Sequence, residues 1–396
     1  MTTYRKPISR ARPVVATKGA VRARLLHRRR PKRRIRAFPV YGLCSLLCSA
    51  ACALICVSCL ASASGTDDAP LVRWQAVRPA MGTRFTIVLY AQDEASARRG
   101  AEAAFARIAA LDTLLTDYDE TSALCRLGAR SDAGPCGPQP VPDALFNVLS
   151  AAIELAQLTA GAFDPTLGPW TKAWRAARAQ GVLPKAAALD ALAPSVGYRL
   201  LRLDEASGTV ALDAPGMALD LGGIAKGFAL DQALAVLRAH GIERALIDGG
   251  GDVLVGAPPP GRRGWRVAIE PFAVEHGPAN DPTSETAPVV IELAHAALAT
   301  SGDSYQSLTV AGQRHSHILD PQSGRALTTG HGASVVAPDA TRADALASAA
   351  CVLTPERALE LVAGLDGVEL RSVASGPRGE ALIRRSAGFP TIRLAD

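Results

Sequence analysis

Arg244-Ala-Leu-Ile-Asp-Gly-Gly-Gly-Asp-Val-Leu-Val-Gly256 holds two short apolar runs parted only by a glycine-rich turn. Arg244 to Asp248 and Val253 to Gly256 predict two strands in immediate succession. More strands follow at Trp265 to Ile269, Val289 to Leu293, Ser307 to Val310, His315 to Leu319 and Ala333 to Val336. Strands arriving in adjacent runs, not in strict β-α-β alternation, argue for an α+β fold with mostly antiparallel sheet. Upstream, Phe85, Ile87 and Leu89 alternate with Thr86, Val88 and Tyr90, another strand pattern. Gly197 to Ala218 reads as a hairpin turning at Glu205-Ala-Ser-Gly208.

Helical stripes occupy Ala95 to Leu115, the run to Thr159 with Asp143 as its cap and Gly161 as its stop, and Ile224 to His240 closed by Gly241. Two more begin at Thr341 and Pro355. Leu127 to Pro142 is a Gly/Pro-bearing loop, and Phe272 to Ala287 is a polar, aperiodic insertion.

The net charge of +6 belongs to one end of the chain. Residues 1–40 carry fourteen Lys or Arg and no acid; the rest has 29 basic residues against 37 acidic ones. A balance of −8 excludes a broad nucleic-acid surface on the body. After the basic run, Tyr41 to Ala63 is apolar and uncharged and ends Leu60-Ala-Ser-Ala63. This pattern predicts a signal peptide cleaved after Ala63, hence a periplasmic or extracytoplasmic protein. A retained inner-membrane anchor, or a lipid anchor at Cys59, is the competing reading. The organisation is then a leader over 1–63, a linker over 64–73 and one catalytic unit over 74–396. Cys125 and Cys136 flank the Gly/Pro loop and are disulfide candidates; Cys351 reads as an inert thiol in an apolar helix.

Three separated motifs carry chemistry. Asp220-Leu-Gly-Gly-Ile-Ala-Lys-Gly227 is a Gly-Gly turn at a helix start, where backbone N–H groups suit a diphosphate. An ordinary capped turn fits the same residues. Thr341-Arg-Ala-Asp-Ala-Leu-Ala-Ser348 puts Asp344 and Ser348 four apart on one helix face. These are hard oxygen ligands, fit for Mg²⁺ and poor for zinc; an exposed first turn with a favourable acid fits equally. His315 and His317 alternate on their strand, so both are expected on one side.

In order, spacing and flanks these motifs resemble the ApbE family of flavin transferases. Met81-Gly-Thr83, Thr116 to Leu127, Gly161-Ala-Phe-Asp-Pro-Thr166, His317-Ile-Leu-Asp-Pro321 with Gly324, and Asp248-Gly-Gly-Gly-Asp252 match family segments too. The resemblance covers nearly all of 74–396 and implies the family's α+β fold. It implies flavin-nucleotide contacts at Met81, Tyr118, Ala162, Phe163, Asp164, Asp220, Lys226 and Ile318. It assigns Mg²⁺ to Asp344, Ser348 and the Gly223 carbonyl, and makes His317 a candidate general base or positioning group. Ser348 departs from the family's threonine but keeps the hydroxyl; Gly128 stands near where the family often has Asn.

The implied activity is Mg²⁺-dependent transfer of FMN from FAD to a protein threonine with release of AMP. The implied acceptor is a subunit of an extracytoplasmic respiratory complex of the Nqr or Rnf type. FAD hydrolysis to FMN and AMP, or flavin binding without catalysis by a periplasmic lipoprotein, are the alternatives. Tyr118 favours transfer, and retention of both metal-ligand side chains disfavours mere binding.

Overall fold

A computed structural model describes residues 70–269, 289–302, 307–376 and 380–390. The leader and the insertion at 272–287 lie outside the described residues. Among those described, no helix is long and apolar enough to cross a membrane.

In chain order the elements are β1 (Val72–Ala80), β2 (Thr83–Ala91), α1 (Glu94–Leu115), α2 (Ala123–Ala129), β3 (Cys136–Pro140), α3 (Asp143–Leu158), α4 (Gly168–Ala179) and α5 (Ala186–Leu192). There follow β4 (Leu201–Asp204), β5 (Thr209–Leu212), α6 (Ala225–Ala239), β6 (Arg244–Gly249), β7 (Val253–Val255), β8 (Trp265–Ile269) and β9 (Val289–Leu293). The chain continues with β10 (Ala296–Gly302), β11 (Ser307–Val310), β12 (Gln313–Ser316), β13 (Gly332–Ala337), α7 (Ala340–Val352), α8 (Pro355–Ala363), β14 (Glu369–Ser375) and β15 (Ala381–Arg385).

The main sheet has eight strands in the order β1-β2-β6-β7-β10-β13-β14-β15. Each of its pairings is antiparallel. The expected α+β class with mostly antiparallel sheet is the one found. A smaller sheet, β3-β5-β4, carries the expected hairpin at 201–212. Two-stranded ribbons β8-β9 and β11-β12 complete the strands.

The core follows from the apolar stripes. α1 buries Ala97, Ala101, Ala104, Phe105, Ile108, Leu111 and Leu115, and starts at Asp93, whose carboxylate accepts from the Ser96 N–H at 2.6 Å. With α6 and α7 it covers one face of the main sheet, and α3 packs on α1 and α7 in turn, in a single large cluster. The other face is covered near β7 by the β8-β9 ribbon, where Trp265, Val267 and Ile291 pack on Val253, Val255 and Leu298. A third, smaller cluster joins Trp170 and Trp174 of α4 to Leu189 of α5 and Leu319. Two indole hydrogen bonds pin α4: Trp170 Nε1 donates to the Leu189 carbonyl at 2.9 Å, Trp174 Nε1 to that of Gly324 at 2.8 Å.

Several local expectations are corrected. The hairpin strand β1 precedes the first expected strand and takes in the end of the supposed linker. The stretch read as loop, Leu127 to Pro142, takes in the end of α2 and all of β3; α2 is started by Ser122, whose hydroxyl accepts from the Cys125 N–H. Pro142, not Asp143, occupies the cap of α3, and Asp143 sits in its first turn. Cys125 and Cys136 are free thiols, held in a helix and in a strand. Cys351 is buried, as expected.

Candidate functional site

The β1-β2 hairpin turns on Met81 and Gly82, with φ of 48° and 71°. Two consecutive left-handed residues define the tight turn that suits a twisted hairpin. A methionine is strained there, and Asp112 of α1 holds it: the Met81 N–H donates to its carboxylate at 2.8 Å. Phe85 of β2 lies opposite Gly249 of β6, so this hairpin end and the β6-β7 turn share one end of the sheet.

That turn delivers Asp252, a buried carboxylate. Its Oδ1 accepts from the Thr300 N–H at 3.2 Å, and its Oδ2 forms an ion pair with Lys226. Lys226 stands in the first turn of α6 and lies 3.5 Å from Asp344 of α7 as well. Asp344 is 2% exposed, in the second turn of α7, so the exposed first-turn acid that the residues alone also allowed is excluded. Its Oδ2 accepts from the Gly227 N–H at 3.0 Å. Burial pushes the Asp344 carboxyl up to about 6, with Lys226 opposing the rise and Asp252 adding to it. Lys226 is raised in turn: burial disfavours its charge, but Asp252 and Asp344 outweigh that. One ammonium between two carboxylates leaves a net negative charge, an environment that favours a further cation.

Ser348 lies one turn on from Asp344, its hydroxyl 3.3 Å from that of Ser301. Gly223 abuts it closely: a Cβ on Gly223 would sit 2.8 Å from Ser348 Oγ and 3.5 Å from the Phe163 ring. The missing side chain at 223 lets its backbone lie against Ser348, whose hydroxyl and the Asp344 carboxylate one turn earlier on α7 are hard oxygen donors. These residues fit Mg²⁺. Gly227 permits the meeting of α6 and α7, since a Cβ there would lie 2.1 Å from the Ala340 carbonyl oxygen.

The turn itself differs from an open anion cradle. The Gly222 N–H donates to Asp220 Oδ1, those of Ile224 and Ala225 to the Leu221 carbonyl, and that of Gly227 to Asp344. The acids and carbonyls beside these glycines take the donors first. Asp220 also accepts from Thr171 of α4 at 2.7 Å, through Oδ2.

Tyr118 follows α1 and is 79% exposed. The Arg175 guanidinium of α4 lies 4.1 Å from its ring centroid and bonds Asp117 at 2.6 Å. Phe163 is buried beside Gly223, with Ala162 half-buried next to it. Asp164 is buried, and its carboxylate serves the protein itself, accepting from Thr166 and from the Tyr198 N–H. Burial raises its pKa despite those bonds.

β12 ends at Ser316, whose hydroxyl accepts the Ile318 N–H at 3.0 Å. This local bond bends the chain and breaks the expected alternation: His315 is buried, whereas His317 is exposed. Ile318 packs on the main core.

The structure thus brings together Gly223, Lys226, Asp344, Ser348 and Phe163, and places Asp220 with Tyr118 around α4. The sequence reading did not single out the side chains of Asp252, Asp117 and Arg175. Asp252 closes the quoted glycine turn and was legible as a second acid. Arg175 sits on a helix whose signal, Trp170, Trp174 and Ala177 at spacings of four and three, went unread.

The sequence profile of the ApbE family matches residues 81–371. The chain belongs to the ApbE family. A FAD:protein FMN transferase of Treponema pallidum (strain Nichols) is 29% identical over 359 residues, 87% of this chain and 95% of that protein. One from Escherichia coli (strain K12) is 30% identical over 258 residues, 63% of this chain and 70% of its own length. The flavin transferase ApbE from Vibrio cholerae has the same fold, with a TM-score of 0.69 at 25% identity, over 81% of this chain and 99% of that one. As an ApbE family member the chain is an enzyme of the transferase class.

Proposed function

We propose that this protein transfers FMN from FAD to a threonine hydroxyl of a target protein and releases AMP. The observation that carries the reading is the meeting of two motifs in an ApbE-family chain: Gly223 against Ser348, and Lys226 between Asp252 and Asp344. In the reaction the threonine oxygen bonds to the FMN-side phosphorus. The bond from that phosphorus to the AMP phosphate oxygen breaks, and AMP departs with the electron pair. The threonine proton passes to a base, for which His317 is proposed from its exposed position beside Ile318.

Asp344, Ser348 and the Gly223 carbonyl would hold Mg²⁺. When bound, the ion supplies charge neutralisation on the diphosphate. Lys226 opposes the rise that burial imposes on the Asp344 carboxyl and so favours the ionised form, the one that accepts a cation. Met81, Tyr118, Ala162, Phe163, Asp220 and Ile318 surround the flavin nucleotide in this reading. Asp164 keeps their turn in shape through its hydrogen bonds to Thr166 and Tyr198.

The acceptor is proposed to be an extracytoplasmic subunit of a respiratory complex of the Nqr or Rnf type. The basic run and the apolar stretch ending at Ala63 support an extracytoplasmic location.

The test is incubation of the protein with FAD, MgCl₂ and an acceptor peptide bearing a threonine. AMP release together with flavin fluorescence that stays on the peptide through denaturation supports transfer. AMP with only free FMN would assign FAD hydrolysis instead, and no AMP at all would sink both.

A further inference from the structure

Tyr118 stands out among the described residues. It is the only aromatic among the large apolar side chains left exposed, and at 79% it is the most exposed of them. It is nonetheless held. One face of its ring carries the Arg175 guanidinium at 4.1 Å, and Arg175 is itself fixed by Asp117 at 2.6 Å. The Asp117 side chain is only 13% exposed. Burial and the charge of Asp220 both raise the Asp117 pKa, with Arg175 opposing them. The clamp is anchored in a rigid element, since α4 is tied down by Trp170 and Trp174.

Thr171 and Arg175 are four apart on that helix, so they share a face. Thr171 bonds Asp220 at the start of the glycine turn, and Arg175 feels the charges of both Asp117 and Asp220. One helix face therefore fixes both the entry of the Gly-Gly turn and the Tyr118 ring. An exposed tyrosine with one face occupied by a cation presents its other face to solvent in a set orientation. That is a stacking platform for a flat aromatic ring.

We propose that Arg175 is a positioning residue: clamped by Asp117, it holds Tyr118 so that the ring's free face stacks on a flat ring of the flavin dinucleotide. This rests on the function proposed above. The stacked ring is the isoalloxazine or the adenine, and FMN and AMP used separately as probes distinguish them.

The experiment measures binding by calorimetry with Mg²⁺ chelated, so that no turnover occurs, and follows FMN fluorescence quenching alongside. Arg175→Met is expected to weaken FAD binding about 2- to 10-fold, the weight of one side chain no longer pre-ordered. KM for FAD should rise similarly, with kcat at saturation near wild type. Arg175→Lys should recover part of the loss, because an ammonium still faces the ring but lacks the planar fork. In a Tyr118→Leu background, Arg175→Met should have no further effect on binding, since the two act as one unit. Thermal unfolding of each variant separates this from a folding defect, and Arg175→Lys carries the test if Arg175→Met unfolds. Wild-type affinity for FAD, FMN and AMP in Arg175→Met would overturn the clamp. So would tighter binding, which would mean that the guanidinium competes for the ring, or additive effects with Tyr118→Leu. A wild-type protein that binds no FAD either in chelator or with Mg²⁺ restored would overturn the proposed function itself.

Discussion

Replacing Gly227 by alanine adds one methyl group at the point where α6 meets α7. The new Cβ would lie 2.1 Å from the Ala340 carbonyl oxygen, 2.6 Å from its carbon and 2.9 Å from Asp344 Cβ. Backbone cannot rotate away as a side chain does, so the helices must part by about 1 Å to restore an ordinary contact. Overpacking of this kind costs about 1–3 kcal/mol. Alanine returns up to about 1 kcal/mol through its better helix propensity. The net loss is about 1–2 kcal/mol, and Tm should fall by roughly 1–3 °C for a domain of about 300 residues. Activity should fall much further. The same parting stretches the 3.0 Å bond from the Gly227 N–H to Asp344 and carries Asp344 and Ser348 away from Lys226 and Gly223. A misplacement of about 1 Å costs on the order of 100-fold in rate. The assay is AMP release from FAD at saturating Mg²⁺, with Tm measured in parallel by calorimetry. An unchanged Tm would show that the helices are not in such close contact. A lowered Tm with activity within about threefold of wild type, small beside the loss expected from such a displacement, would show that their crossing does not set the site's geometry.

Asp344→Ala should abolish AMP release and its Mg²⁺ dependence, because the donor set loses its only carboxylate; Ser348→Ala should be milder and Ser348→Thr near neutral, all read by titrating Mg²⁺. His317→Asn should lower kcat by on the order of 10²–10⁴ with little change in FAD affinity, and should remove the fall in rate at acid pH; an unchanged pH profile would leave His317 outside proton transfer. Asp231 caps α7, accepting from the Ala340 and Thr341 N–H groups at 2.9 and 2.8 Å. Burial raises its pKa above the ordinary 3.8, so the folded state holds that proton more tightly than the unfolded chain does. Its contribution to stability is therefore greatest below the ordinary value and is lost as pH rises through the raised one. The stability advantage of wild type over Asp231→Asn, measured by denaturant titration, should shrink as pH rises from about 4.

Where burial and local period coincide, the sequence was readable. α1, α3 and α6 each follow an apolar stripe, and β6 and β7 are apolar runs bracketing glycines, so their existence and type were legible. β1 was not, because as an edge strand it is largely exposed and carries no buried face to mark it. α2 and α5, at seven residues each, are too short for a helical period to declare itself. In the site, spacing put Asp344 and Ser348 on one helix face but left an ordinary first turn equally open, and the company they keep was not legible. Lys226 was assigned to the nucleotide, yet it is paired with Asp252 and Asp344 inside the protein, a partnership across 26 and 118 residues. The histidine alternation failed for a local reason: the Ser316 hydroxyl offered the chain a bend at the strand's end.

The pairing of β2 with β6 bears on how the chain is made. Phe85 meets Gly249, and everything from α1 through α6 is threaded between the two strands. During synthesis β2 emerges with β1 on one side and a bare hydrogen-bonding edge on the other. That edge stays open until some 160 further residues have been translated. Closing so long a loop delays the pairing, because the loop's entropy is lost before its contacts reward it. Until then the open strand is a site for mispairing with other chains. A nascent chain stalled before residue 249 should therefore need a holding chaperone, and one released after it should not.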